Sequence, residues 1–252
     1  MDNVIINPIL RISTMTQISK IKSLIDLQKL YDFLEIDSTY KYIEYANNKP
    51  KGQKQKKIKK RKKEIHKKRK FFYNQVTLHI YLDKLINVKV FNNGGIQMTG
   101  LKNYEQSCKI LKLLISKLES FNLLTDNIIE NSKIVLINTD FDIGFEINRE
   151  ILHRLIIEKG YYSSFEPIIY PGVNIKYYYN TNTNGICECE HICDGKGKGK
   201  SCKKITVAVF KSGKIIITGG QSIQQMNTAY NFIQTFINDN KELIEIKYNL
   251  DN

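Results

Sequence analysis

Between positions 187 and 202, Cys187, Cys189, His191, Cys193 and Cys202 supply soft sulfur and imidazole donors of the kind that hold Zn²⁺ in a tetrahedral cage. Their spacing leaves two readings open. Cys-x-Cys puts alternate side chains on one side of an extended strand, and zinc knuckles space their ligands more widely, so the segment is either a metal site or a free loop. A disulfide is disfavoured in a reducing compartment. Catalytic chemistry finds little support. The four histidines, His66, His79, His153 and His191, lie far apart, no acid pair recurs at catalytic spacing, and "GKGKGK" (195–200) lacks the strand and helix that frame a phosphate-binding loop. We therefore expect no enzyme, no small-molecule substrate, and no cofactor apart from zinc at that loop.

A second chemical feature is charge. The 252 residues carry a formal net charge of +14, from 39 Lys and Arg against 25 acids. Residues 49–70, "KPKGQKQKKIKKRKKEIHKKRK", hold 14 of those bases and a single acid, Glu64. Outside that block the remaining 25 bases and 24 acids nearly cancel. A run of like charge cannot pack, so it reads as a solvated insertion: an electrostatic arm for phosphates, a nuclear localisation signal, or a solubilising loop. Residues 1–30 show no basic start followed by an unbroken apolar block, and the chain has no apolar run of roughly 18 residues. The expectation is a soluble, intracellular protein with no membrane partner. The Ile, Asn, Lys and Tyr richness fits an AT-rich genome.

These features hang on a repeated framework. "FNNGGIQMTGL" (91–101) and "FKSGKIIITGG" (210–220) align without a gap, Phe91 with Phe210, Gly94 with Gly213 and Thr99 with Thr218, 119 positions apart. Both run into apolar residues at helical spacing, Cys108, Leu111, Leu114, Ile115 and Leu118, then Tyr230, Ile233, Phe236 and Ile237. Upstream, "YNQVTLHIYLDKLINVKVF" (73–91) reads as a hairpin, and "YPGVNIKYYYN" (170–180) matches its first strand. Each copy opens with a strand ("ILRISTMTQIS", "KIVLINTDFDIGF") and a helix around "SLIDLQKLYDFLEI" or "INREILHRLIIEKG", the latter closed by Gly160. The predicted class is α+β, a curved antiparallel sheet with helices on one face and an open face seeking a partner. The repeats span 9–121, with a lysine-rich insertion at about 46–70, and 131–248, with a Cys-rich insertion at about 180–204.

With Phe210, Ser212, Gly213, Lys214, Thr218 and Gly219, and with "FEPIIYPG" (165–172), the chain resembles the TATA-box-binding protein family over most of residues 9–240. That resemblance implies a pseudo-twofold saddle whose concave sheet lies in the DNA minor groove, aromatic side chains wedging between base steps. Matched residue by residue, the wedges are Tyr73 and Phe91, then Tyr170 and Phe210, with Phe72 competing for the first place. Lys102, Lys176 and Lys214 fall at backbone-contact positions, and Thr99 and Thr218 within reach of base edges. The implied partners are double-stranded DNA and RNA polymerase initiation factors. The implied compartment is the nucleus, or a cytoplasmic viral factory for a large DNA virus. Departures are present too. Leu10 and Leu136 stand where the family has a base-reading Asn, with Asn138 two residues on, and Gly94-Gly95 replaces the Gly-Lys of the second copy. An interaction scaffold that has lost base readout is the alternative.

Overall fold

In the computed structural model, which describes residues 7, 9–53, 71–180, 182, 184–199 and 201–247, the chain forms the predicted sequence of elements twice. The first pass is β1 (Arg11–Ile21), α1 (Leu27–Phe33), β2 (Tyr40–Tyr45), β3 (Lys51–Gly52), β4 (Gln75–Tyr81), β5 (Leu85–Phe91), β6 (Gly95–Leu101) and α2 (Tyr104–Ser120). The second is β7 (Ile129–Asp142), α3 (Arg149–Glu158), β8 (Tyr162–Ser164), β9 (Val173–Tyr179), β10 (Lys203–Val209), β11 (Lys214–Gly220), α4 (Ile223–Asp239) and the short α5 (Lys241–Ile244). Most of the lysine-rich block, residues 54–70, lies outside the described residues.

The chain divides into two compact units, Met15–Ile134, and Val135–Asn252 together with Met1–Thr14. In the first the strand order is β3-β2-β4-β5-β6-β1, and in the second β7-β11-β10-β9-β8. Every strand pair in either unit is antiparallel, as the density of hairpins predicts. Strict alternation gives each sheet one apolar face. In the first unit Leu78, Val88, Val90, Ile96 and Met98 are buried, and α2, which packs on β6, supplies Ile110, Leu111, Leu114 and Leu118. In the second, Ile175, Ile205, Val207, Ile215 and Ile217 are buried, and α4, packed on β9, β10 and β11, brings Met226, Ile233 and Ile237. Each such side chain withdrawn from water contributes about 1.5–3 kcal/mol.

The repeated phrase has a backbone cause. Gly94 and Gly213 close tight turns, donating their N–H to Phe91 O and Phe210 O at 3.0 and 3.1 Å, with φ +82° and +79°. A Cβ at Gly94 would lie 2.2 Å from Ile21 O, and one at Gly213 2.3 Å from Phe145 O. Only glycine fits either place. The helices that follow are capped alike, because Asn103 and Ser222 accept from the N–H of Gln106 and Gln225 at 2.9 and 3.2 Å. Those glutamines in turn accept from the N–H of Lys102 and Gln221, both at 2.7 Å, a reciprocal cap that satisfies orphan donors. Gly160 closes α3 as predicted: its N–H reaches Ile157 O, the next N–H reaches Ile156 O, and its φ is +82°. The first helix is shorter than its apolar pattern suggested, running only from Leu27 to Phe33 behind an Asp26 cap.

Candidate nucleic-acid interface

Paired residues of adjacent strands point to the same side, so the register assigns every side chain to the helix-covered face or the open one. In the second unit, Lys176 pairs with Thr206 and Tyr162, Thr206 with Thr218, and Thr218 with Asn138. One step along, Asn174 pairs with Ala208, Ala208 with Ile216 and Ile216 with Asp140, while Lys214 faces Asp142. By this alternation they stand on the open face, opposite the apolar stripe, although Ala208 among them is buried at 5% exposure. Arg11 and Ser13 join them, Arg11 through an ion pair to Asp140 (Nη2–Oδ2 2.6 Å) and Ser13 through its hydroxyl to Asn138 O at 3.0 Å.

Phe210 follows the last residue of β10 and faces Tyr170, their ring centroids 5.7 Å apart and the planes at 63°. Both rings remain partly accessible, Tyr170 by 40%. Between them lies Gly172, where a Cβ would stand 3.0 Å from the Tyr170 ring and 3.3 Å from the Phe210 ring. The ring pair therefore sits directly on the backbone. Phe210 also borders a depression of ≈ 730 Å³ lined by Arg11, Asp140, Asp142, Ser212, Lys214 and Ile216.

The first unit keeps the same face with different occupants. Phe91 is half-buried at the end of β5, opposite Gln75, which stands where the second copy has Gly172. Tyr73 is 64% exposed, Phe72 59%, and among the described residues neither forms a ring pair with Phe91. Asn87 pairs with Thr99, Lys89 with Gln97, and Thr99 with Thr16, their hydroxyls 3.3 Å apart. Gly95 occupies the place of Lys214, so one cation is missing.

The predicted cations differ in setting. Lys214 is exposed. Lys176 is half-buried, its Nζ donating to Asn174 Oδ1 at 2.8 Å and Thr206 Oγ1 at 3.0 Å, and burial first, then Lys204, lowers its pKa. Lys102 lies between β6 and α2 rather than in the strand alternation, near enough to Lys84 to depress that amine's pKa after burial. Of the two leucines at the family's Asn positions, Leu10 is buried at 4% exposure, and Leu136 is half-buried. Asn138 shares the open face with Asn174, and its Oδ1 is buried without a hydrogen-bond partner. Just beyond it the β11–β7 register shifts between Thr218 and Gly220, as the β1–β6 register does between Met15 and Thr16. Sequence reasoning missed Arg11, Asp140 and Asp142. Counting by twos along β7 from Asn138 would have found the two acids.

The thiols are gathered elsewhere in the second unit. The sulfurs of Cys187, Cys189, Cys193 and Cys202 all lie within 4.8 Å of one another. His191 stands outside this group, its Nε2 3.1 Å from Ser201 Oγ.

A family model described as "Transcription factor TFIID (or TATA-binding protein, TBP)" matches residues 131–239, the second repeat. A "TATA-box-binding protein-like" protein of Acanthamoeba polyphaga mimivirus is 29% identical over 208 residues, 70% of this chain. The Methanococcus jannaschii TBP superposes with a TM-score of 0.58 at 21% identity, over 94% of this chain and 100% of that one. The chain is thus similar to TATA-box-binding-protein-like proteins, in sequence over its second repeat and in fold over nearly its whole length. It spans about half (51%) of the length of its mimivirus relative. The TATA-box-binding-protein-like fold accounts for the antiparallel sheets, and the matched segment contains both rings of the Tyr170–Phe210 pair.

Proposed function

We propose that this chain is a non-enzymatic general transcription initiation factor that binds AT-rich promoter DNA through the minor groove and bends it, while its helices engage polymerase initiation factors. The Tyr170–Phe210 pair over Gly172 carries the reading. Minor-groove proteins, the TATA-box-binding protein among them, insert apolar side chains between base steps, and unstacking is offset by contact with the bent duplex. Two partly exposed rings seated on bare backbone beside a strand end are shaped for that work. Thr206 and Thr218 offer short polar groups to base edges, with the Asn138 side chain beside Thr218 on the same face. Because the minor groove distinguishes little beyond A·T from G·C, an Asn at only one position leaves binding intact and coarsens selectivity.

A gel-shift series on AT-rich and GC-rich duplexes at several salt concentrations, with bending read by fluorescence energy transfer, tests the proposal. Preferred binding and bending of the AT-rich duplex are expected. A chain lacking residues 54–70 should show a shallower salt dependence, by about 0.9 in log–log slope for each phosphate that segment neutralises. Weak, composition-blind binding to a straight duplex would favour the scaffold reading, for which the open-face carboxylates of Asp140 and Asp142 already speak, since they repel phosphate.

A further inference from the structure

The Cys-rich insertion is a built structure joining β9 to β10. At its start Tyr178 donates its N–H to Gly185 O at 2.9 Å, and Gly185 leaves room for the Tyr177 ring, which a Cβ there would meet at 2.5 Å. At its end the chain doubles back on β10: Lys204 N–H donates to Gly195 O at 2.9 Å and Gly197 N–H to Cys202 O at 3.0 Å. The alternate glycines of "GKGKGK" make this turn, since Gly195 and Gly197 both have φ +68° and a Cβ at Gly195 would lie 2.6 Å from Lys204 Cβ. The fold-back sets Cys193 beside Cys202, and the first leg delivers Cys187 and Cys189 to the same point. Cys189 Sγ is 3.4 Å from Cys202 Sγ, and Cys187 Sγ is 3.9 Å from it, with no disulfide formed.

We propose that Cys187, Cys189, Cys193 and Cys202 bind one Zn²⁺ as a closed structural site that fastens the insertion to the ends of β9 and β10. A tetrahedron with Zn–S bonds of about 2.3 Å has edges of about 3.8 Å, near the 3.4 and 3.9 Å of two sulfur pairs and within reach of a group whose sulfurs all lie within 4.8 Å. Four thiols unpaired by disulfides, drawn together by main-chain hydrogen bonds, have no packing reason to converge on one point. A soft tetrathiolate set selects zinc over calcium or magnesium, which take oxygen ligands. On binding, each thiol releases its proton to solvent, and the four thiolates with the cation leave a net charge of −2. Lys196, Lys198, Lys203 and Lys204 stand in the same fold-back, Lys196 paired with Asp194 at 3.2 Å. Four protein ligands leave no open position, so the metal holds structure and performs no catalysis. His191, bonded to Ser201, is a bystander.

The full chain, purified under reducing conditions without added metal, should contain one zinc per molecule by elemental analysis. Cobalt exchanged into the site should show the visible spectrum of a tetrahedral tetrathiolate. Cys189→Ser and Cys193→Ser should each lose the metal, whereas His191→Ala and Cys108→Ser should retain it. Because a serine variant can fail to fold, the wild-type chain is also treated with a thiol reagent before and after chelation. Four thiols should become reactive only once the metal is removed. Folded wild-type protein that takes up neither zinc nor cobalt, holds a disulfide within this group, or loses zinc on His191→Ala would overturn the site.

Discussion

The two repeats share a scaffold and differ at the ends of their strands on the open face. Both turn at a glycine that admits no side chain, both slip register beside the Thr-Gly pair, and both cap their long helix with the same reciprocal pair of side chain and glutamine. Among the described residues, the aromatic pair at the strand ends meets only in the second, over Gly172. In the first, Gln75 faces Phe91, Tyr73 projects into solvent, and Gly95 stands where the second has Lys214. Features that the backbone requires are kept in both copies. Features that a ligand would require are concentrated in the second, the repeat that the family model matches.

That contrast can be broken at several levels. The largest effects should fall equally on both repeats: Gly94→Ala and Gly213→Ala each force a side chain against a carbonyl at positive φ, and each should cost about 2–4 kcal/mol in denaturant unfolding. A marked inequality would mean that the scaffolds are not equivalent. Next, Phe210→Ala should weaken binding to an AT-rich duplex by about 1–3 kcal/mol and straighten it, whereas Phe91→Ala should do clearly less. Since both rings are half-exposed, neither should approach the 3–5 kcal/mol stability loss of roughly that size typical of a core aromatic. Equal binding losses would erase the asymmetry, and large unfolding losses would return both rings to the core. Removing the helix caps with Asn103→Ala or Ser222→Ala should cost about 1 kcal/mol in either repeat by thermal unfolding, with DNA bending unchanged. The smallest stability change is expected for Gly172→Ala, under about 1 kcal/mol, because the rings can yield a few tenths of an ångström. Its bend angle should nevertheless shift toward that of Phe210→Ala, while Gln75→Ala in the first repeat leaves the angle alone.

Much of this was legible in the residues. The duplication shows itself because a turn that tolerates only glycine, followed by an amphipathic helix, leaves the same letters wherever it recurs, and strand alternation needs nothing beyond a period of two. The aromatic at each strand end was likewise visible, since Phe91 and Phe210 are fixed relative to those glycines. Spacing failed where distant segments had to meet. Leu10 aligned with a base-reading position yet is buried, whereas Asn138, two places past Leu136 on β7, stands on the open face beside Thr218.

The cysteine loop marks the same boundary from the other side. Its sequence determined which donors exist and that a short segment holds them, because residue identity alone sets ligand chemistry. It could not choose among four thiols and an imidazole, since the choice depends on a fold-back fastened by main-chain hydrogen bonds to β10, and those bonds carry no side-chain signature. The Tyr170–Phe210 contact is of that kind too. Forty residues separate the two rings, and only the β9–β10 pairing, with Gly172 opposite Phe210, brings them within 5.7 Å. Local backbone demands and residue chemistry were written in the sequence, whereas which side chains share a face, a gap or a cluster was decided by strand register, a property of pairs of segments and not of either one alone.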